Sequence, residues 1–305
     1  MALAIGVDLG GTKIEVVALD DHGRELLQRR RPTPPSGYEA TLEAIAGLVR
    51  EAEAELGRPG STVGVGHPGT ISPATGLLKN CNLTWLNGRP VDRDLAAKLG
   101  RPVALANDAN CLGLSEATDG AGAGAEVVFT VILGSGVGGS VVVNRRVVAG
   151  ANGVAGEWGH IPLPQPLPDE LPGPACYCGR FGCVETWLSG PGLAADHRRR
   201  WAECLTAPEI IARAEAGDRF AETTLRHYED RLARGLANIV NVLDPEVIVL
   251  GGGVSNVRRL YANVTARWQR YVFSDTVRTR LLPPLHGDSS GVRGAAWLGR
   301  DLARA

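Results

Sequence analysis

Apolar positions along the chain fall into short runs broken by glycine turns, followed by longer helical stripes. Residues 3–9 form an apolar run ending in Gly10-Gly11, and residues 14–19 form a second β-rich run. The glycine pair between them predicts a hairpin, and Asp20–Gly23 predicts the next turn. Leu42, Ile45, Leu48, Val49, Ala52 and Leu56 recur at helical spacing, which predicts a helix over 39–56. Strands are expected at 62–66 and 103–106, and helices at 92–99 and 109–118, with loops dominating between 70 and 100.

The same pattern then returns. Residues 127–133 and 140–144 read as two strands around the glycine-rich turn 134–139. A Pro-rich loop covers 162–175. Amphipathic helices fit 208–216 and 219–243, the second stopping at Asp244-Pro245. An apolar strand at 247–250 runs into Gly251-Gly252-Gly253. Helices follow at 256–271 and 291–302. Two halves that each open on a glycine-turned hairpin and continue into helices and a strand predict a duplicated α/β unit.

Composition narrows the picture only slightly. The chain has 305 residues, 44% of them hydrophobic, and a formal net charge of −1. That balance offers no attraction to nucleic acid or to a membrane surface. Two arginine runs, Arg29–Arg31 and Arg198–Arg200, read as solvated surface. No basic-then-apolar leader opens the sequence and no stretch reaches membrane-spanning length, so the expected location is the cytoplasm. The six cysteines are then expected as thiols or metal ligands.

Three glycine turns sit at strand ends. Gly6-Val7-Asp8-Leu9-Gly10-Gly11-Thr12-Lys13 crosses the first hairpin. Glycine lets backbone N–H groups approach a phosphate, and Thr12 and Lys13 could add a hydroxyl and a charge. A plain hairpin turn explains this string equally well. The spacing matches neither a Walker A loop nor a dinucleotide fingerprint. The second turn is Leu133-Gly134-Ser135-Gly136-Val137-Gly138-Gly139-Ser140, and the third, Gly251-Gly252-Gly253, leads from a strand toward a helix. Each is weak alone; three in this order point to a nucleotide.

Cys176, Cys178 and Cys183 lie within eight residues, with His160 upstream. One His and three Cys suit a closed, tetrahedral structural zinc site, and the odd thiol count in a reducing compartment disfavours a disulfide. Asn107-Asp108 falls between a strand and a helix, where Asp108 reads either as a helix cap or as a base.

These strings resemble a known family. The three glycine turns are similar to the phosphate-1, phosphate-2 and adenosine motifs of the actin-like ATPase superfamily. Asn82–Gly88, Leu105–Cys111, Gly156–His160, the cysteine cluster and His286–Trp297 resemble the ROK family (repressors, open reading frames, kinases) over nearly the whole chain. The nearest likeness is to its bacterial fructokinases and manno(fructo)kinases. The resemblance implies two RNase-H-like lobes around a nucleotide and sugar cleft. Residues 1–115 would form the first lobe, with the helix at 291–305 packing back on it, and 116–290 the second, carrying the zinc loop. It implies ATP and Mg²⁺ as cofactors besides Zn²⁺, with Asp8 near the Mg²⁺. Asp108 would be the catalytic base, and Asn82, Asn107, Asp108, Glu157, His160 and Glu185 the sugar contacts. His160 would serve zinc through one ring nitrogen and sugar through the other. Small-molecule sugar and ATP would be the partners, in a homodimer as is common in the family.

The function so implied is hexose phosphorylation, with fructose going to fructose 6-phosphate and mannose or glucose as further substrates. A glucokinase or an N-acetylated-aminosugar kinase shares the same motifs. A sugar-sensing repressor of the family is disfavoured, because Asp8 stands too early to leave room for a DNA-binding segment.

Overall fold

A computed structural model describes residues 3–302; the expected extremities Met1–Ala2 and residues 303–305 of the last helix lie outside the described residues. The first hairpin forms as its pattern predicts, from β1 (Ala4–Leu9) and β2 (Lys13–Leu19), and β3 (Glu25–Pro32) extends it. Then follow α1 (Tyr38–Leu56), β4 (Thr62–His67), the short pair β5 (Thr70–Ile71) and β6 (Leu78–Lys79), α2 (Val91–Leu99), β7 (Val103–Asn107) and α3 (Asp108–Thr118). The second half comprises β8 (Val127–Leu133), β9 (Val137–Val143), β10 (Arg146–Val147), α4 (Glu185–Leu188), α5 (Gly190–Trp201), α6 (Ala207–Glu215) and α7 (Arg219–Leu243). It ends with β11 (Val247–Gly251), α8 (Arg259–Trp268), β12 (Arg280–Leu282) and α9 (Ser290–Leu302).

The duplication is visible in the sheets. One has the order β3-β2-β1-β4-β7 and the other β10-β9-β8-β11-β12. In the first, β1 pairs antiparallel with β2 and parallel with β4. In the second, β11 runs parallel to both β8 and β12. This is the RNase-H-like plan of the actin-like ATPase fold, an α/β architecture repeated twice.

The chain divides into two compact units. The first holds residues up to Gly124, Val141–Ala155 and residues from Leu285 on; the second holds Ala125–Ser140 and Gly156–Pro284. The expected boundary at 115/116 therefore moves. The reason lies in the end of α3. Glu116 accepts hydrogen bonds from Ser290 Oγ (2.7 Å) and from the Leu285 N–H (3.1 Å), and His286 bonds the Asp119 carbonyl (3.1 Å). These bonds attach 285–290 to the first unit, not the second.

In the first unit α1 buries Leu42, Ile45, Leu48 and Val49 on one face of the sheet. The other face is covered by α9, through Val292, Ala296 and Trp297 against Ala4, Val17 and Leu19. There the helix backbone lies directly on the strands. A Cβ at Gly6 would collide with the Val292 carbonyl, and one at Gly64 with the Ala295 carbonyl. Gly6 is thus a packing residue buried under α9, which corrects its place among the expected nucleotide contacts.

The arginine runs lie at the surface as expected, and some of them pair with buried carboxylates there. Arg30 pairs with the buried Glu15 (2.9 Å), and Arg199 and Arg200 with the buried Asp196 (2.5 and 3.3 Å). In the second unit Arg231 and Arg234 of α7 hold Glu170 at 2.7 and 2.8 Å with every partner buried. Arg234 also donates to the carbonyls of Pro164 and Gln165. These bonds fasten the Pro-rich segment that leads into the cysteine cluster. No helix among the described residues is long and apolar enough to cross a membrane.

Candidate functional site

In the first unit the β1–β2 turn presents Gly10, Gly11, Thr12 and Lys13 at the surface, whereas Val7 and Leu9 are buried in the core. These two are corrections: alternation along β1 turns them inward, and only Asp8 of the strand's end stays partly open. Lys13 bonds the buried Glu15 (3.2 Å), so its charge is already shared with a carboxylate. Asn82 is exposed, and its amide nitrogen lies 3.6 Å from where a Gly11 Cβ would stand.

Asp108 opens α3 directly after β7. The capping belongs to its neighbour: Asn107 Oδ1 accepts from the Ala109 N–H (2.9 Å), and Asn107 Nδ2 donates to the Gly69 carbonyl (3.0 Å). Asp108 Oδ1 also accepts from Ala109 N–H (2.8 Å). Asn107 thus has fold work for both ends of its amide, while the exposed Asp108 carboxylate stands at a helix N-terminus, where negative charge is stabilised.

Burial, then the charges of Asp108 and Glu15, push the Asp8 carboxyl up to about 6. Glu15 is already paired with Lys13 and Arg30, which leaves Asp8 and Asp108 as the carboxylates whose charge a divalent cation could relieve, and hard oxygen donors suit Mg²⁺. The shift has a consequence for stability. Between about pH 4 and pH 6 the folded chain keeps a proton on Asp8 that the unfolded chain has lost, so this group's contribution falls as pH rises through that window. Asp8→Asn should therefore be the more stable protein above pH 6, by on the order of 2–3 kcal/mol, with the difference vanishing below pH 4. Urea unfolding of both proteins across pH 4–8 measures it. A difference independent of pH would show that Asp8 titrates normally.

In the second unit the Gly134–Gly139 turn is divided in its work. Gly134, Ser135 and Gly136 are open or half-open, while Leu133, Val137 and Ser140 are buried. Gly138 and Gly139 carry the segment 156–160. The Trp158 indole N–H donates to the Gly138 carbonyl (2.9 Å), and a Gly139 Cβ would stand 2.7 Å from the Trp158 ring. Leu133, Val137 and Ser140 thus turn their side chains inward and support the turn. At the third turn Gly251 is buried, and Gly252 and Gly253 are exposed. The helix expected at 256 begins only at Arg259, after a short 3₁₀ turn at Gly253–Asn256.

Gly134, Ser135, Gly253 and Val254 line one cavity of about 510 Å³. Its other wall comes from the starts of α5 and α6: Pro191, Ala194, Pro208 and Ile211. These residues carry no charge and no nucleotide motif, so sequence reading passed them by. The apolar slot suits a flat base, with the glycine turns at its mouth.

The cysteine cluster assembles as expected. Ligand atoms of His160, Cys176, Cys178 and Cys183 all lie within 4.8 Å of one another. Cys178 and Cys183 sulfurs are 3.7 Å apart, and Cys176 Sγ is 3.5 Å from His160 Nδ1. A tetrahedral Zn²⁺ with Zn–S of about 2.3 Å and Zn–N of about 2.0–2.1 Å has edges of about 3.8 Å and 3.6 Å between such pairs. The residues therefore fit zinc. A hydrogen bond from the Arg180 backbone draws the Cys178 thiol down to about 7, toward the thiolate that binds metal. The His160 nitrogen that the resemblance assigns to sugar, Nε2, has an exposed neighbour, the Tyr177 hydroxyl at 2.9 Å.

Glu157 is exposed beside this cluster in sequence. Glu185, at the start of α4, accepts from the Val137 N–H (2.9 Å), and a Cβ at Gly136 would meet its carboxylate at 2.7 Å. Gly136 is small because Glu185 crosses it. The bond couples the segment that ends the cysteine cluster to the glycine turn.

Comparison with known proteins agrees with this geometry. The family model described as the ROK family matches residues 4–301. N-acetyl-D-glucosamine kinases of Salmonella gallinarum and Citrobacter koseri are 40% identical over 297 residues, covering 96% of this chain and 98% of theirs. The structure of a ROK hexokinase from Thermus thermophilus is 34% identical with a TM-score of 0.90 and covers 99% of each chain. A ROK glucokinase from Streptomyces griseus, solved with glucose and AMPPNP, is 29% identical with a TM-score of 0.76, covering 98% of this chain and 100% of its own. With the family model and these relatives matching along nearly its full length, the chain belongs to the ROK family, on its sugar-kinase side.

Proposed function

We propose that the chain phosphorylates N-acetyl-D-glucosamine, moving the γ-phosphoryl group of ATP to the sugar 6-hydroxyl. Asp108 accepts the hydroxyl proton as the oxygen attacks phosphorus; the P–O bond to ADP breaks, and ADP carries away the electron pair. Thr12 and the Gly11 N–H would bind phosphate oxygens, while the Gly10 N–H closes the turn on the Lys13 carbonyl (2.9 Å). The cavity walled by Pro191, Ala194, Pro208 and Ile211 takes the base. Asp8, with Asp108 near it, would hold Mg²⁺, which supplies charge neutralisation on the phosphates. His160, Cys176, Cys178 and Cys183 would hold a structural Zn²⁺ that fixes the segment carrying Glu157, His160 and Glu185, the sugar contacts.

The observation that supports the sugar assignment is the full-length 40% identity to N-acetyl-D-glucosamine kinases. Fructose rested on the strings Asn82–Gly88 and His286–Trp297, in which Asn87 and Arg293 make contacts within the fold. Asn87 exchanges two 2.9 Å hydrogen bonds with the Cys81 backbone, and Arg293 donates to the Gly23 carbonyl (2.7 Å). Such bonds serve any substrate equally. ADP release should be measured with N-acetyl-D-glucosamine, glucose, mannose and fructose. We expect kcat/KM for the acetamido sugar to exceed that for fructose by about 10-fold or more. A higher value for fructose would restore the fructokinase reading.

A further inference from the structure

A cavity of about 760 Å³ is built entirely from the first unit and shares no lining residue with the candidate site. Small-molecule sites typically occupy about 300–1,000 Å³, so the volume suits one. Leu114 of α3, Val147 of β10, and Trp297 and Leu298 of α9 supply an apolar wall. Arg145 and Arg146 enter from the turn between β9 and β10, and Thr118 and Asn144 add a hydroxyl and an amide.

The turn that carries the arginines is strained. Val143 pairs with Arg146 across the hairpin, which leaves Asn144-Arg145 as the two turn residues, with φ of 51° and 59°. A two-residue turn of this hand favours Asn followed by Gly, because both positions are left-handed. A side chain at Arg145 is therefore held where glycine would be relaxed. Three carboxylates also line the cavity, but each is engaged. Asp21 pairs with Arg300 (3.3 Å), Asp119 with Arg293 and His286, and Asp301 has a partner of its own. Arg145 and Arg146 are exposed and have no ion-pair partner among the described residues. The cavity thus offers two successive guanidinium groups beside an apolar wall.

Guanidinium groups grip phosphate oxygens through paired hydrogen bonds, and hydroxyl and amide groups that both donate and accept suit a polyol. We propose that this cavity is a second small-molecule site that takes a sugar phosphate. Arg145 and Arg146 hold the phosphate, Thr118 and Asn144 meet hydroxyls, and the carbon skeleton lies along Leu114, Val147 and Leu298. Phosphate monoesters of this class are what sugar-kinase turnover releases. The assignment holds whichever hexose the chain phosphorylates.

Calorimetric titration tests it, with the catalytic site first saturated by AMPPNP and the hexose that turnover selects. The probes are glucose 6-phosphate, N-acetyl-D-glucosamine 6-phosphate and inorganic phosphate. Wild type should take up about one sugar phosphate per chain, more tightly than inorganic phosphate by about 10-fold or more. Arg145→Gly and Arg146→Gln should each weaken sugar phosphate binding by about 10-fold. Arg145→Gly should melt no lower than wild type, since glycine relaxes the left-handed position, so its lost binding is not lost folding. Melting temperatures of both variants accompany the titrations. No uptake by wild type, inorganic phosphate bound as tightly as the sugar phosphates, or binding unchanged in either variant would overturn the assignment.

Discussion

Asp108→Asn should lower kcat by about 10²-fold or more while leaving sugar affinity nearly unchanged. The substitution keeps the shape of the side chain and its bond to the Ala109 N–H, so α3 should start as before. Asn107 continues to cap the helix, which isolates the chemical loss from a folding loss. What disappears is the ability to take the proton from the attacking hydroxyl. Single-turnover rates and sugar binding, measured together, separate these effects. Turnover near wild type would remove Asp108 from the role of base. A large rise in sugar Kd with unchanged kcat would make it a binding residue.

The second large effect concerns zinc. Purified protein should hold about one Zn²⁺ per chain, and Cys178→Ser should lose most of it. Structural zinc contributes about 10–16 kcal/mol of binding energy in zinc-finger peptides, and binding energy of this kind is folding energy. Here much of the surrounding segment is also held by Glu170, Arg231 and Arg234. The expected outcome is therefore a melting temperature lowered by several degrees and a rise in sugar KM of about 10-fold or more, because His160 loses its anchor. Metal analysis with thermal melts, before and after strong chelation, measures both. Active, stable protein without metal would overturn the zinc assignment.

Local signals in the sequence carried far. The two-residue turn at Gly10-Gly11 forms its hairpin because alternation on both sides and glycine between them are short-range instructions. The stripe Leu42–Leu56 forms α1 with nearly the expected ends. The spacing of Cys176, Cys178 and Cys183 is also local, since the chain needs only a few residues to wrap an ion. Two of the longer elements escaped. β3 carries Arg29, Arg30 and Arg31, whose exposed side chains hid a strand that pairs with β2, where Glu15 meets Arg30. α5 opens with Gly190-Pro191-Gly192, which reads as a loop; Ser189 caps it by accepting from the Gly192 N–H.

By itself, then, the sequence determined the duplicated α/β pattern, the grouping of the three clustered cysteines and the place of Asp108 at a strand–helix junction. Each depends on residues close together in the chain. Only the tertiary structure decided which glycines stay open at the turns and which serve packing. Gly6 and Gly10 look alike in a motif, but Gly6 lies under the Val292 carbonyl. It likewise decided that Glu185 reaches the Val137 N–H, that α5 and α6 wall the cavity beside Gly134 and Gly253, and that Tyr177 meets His160. The first two join segments far apart in sequence. The third depends on a side-chain direction set by the turn of the cysteine cluster. Periodicity and spacing report what neighbours along the chain can do; which distant surfaces meet is set by packing.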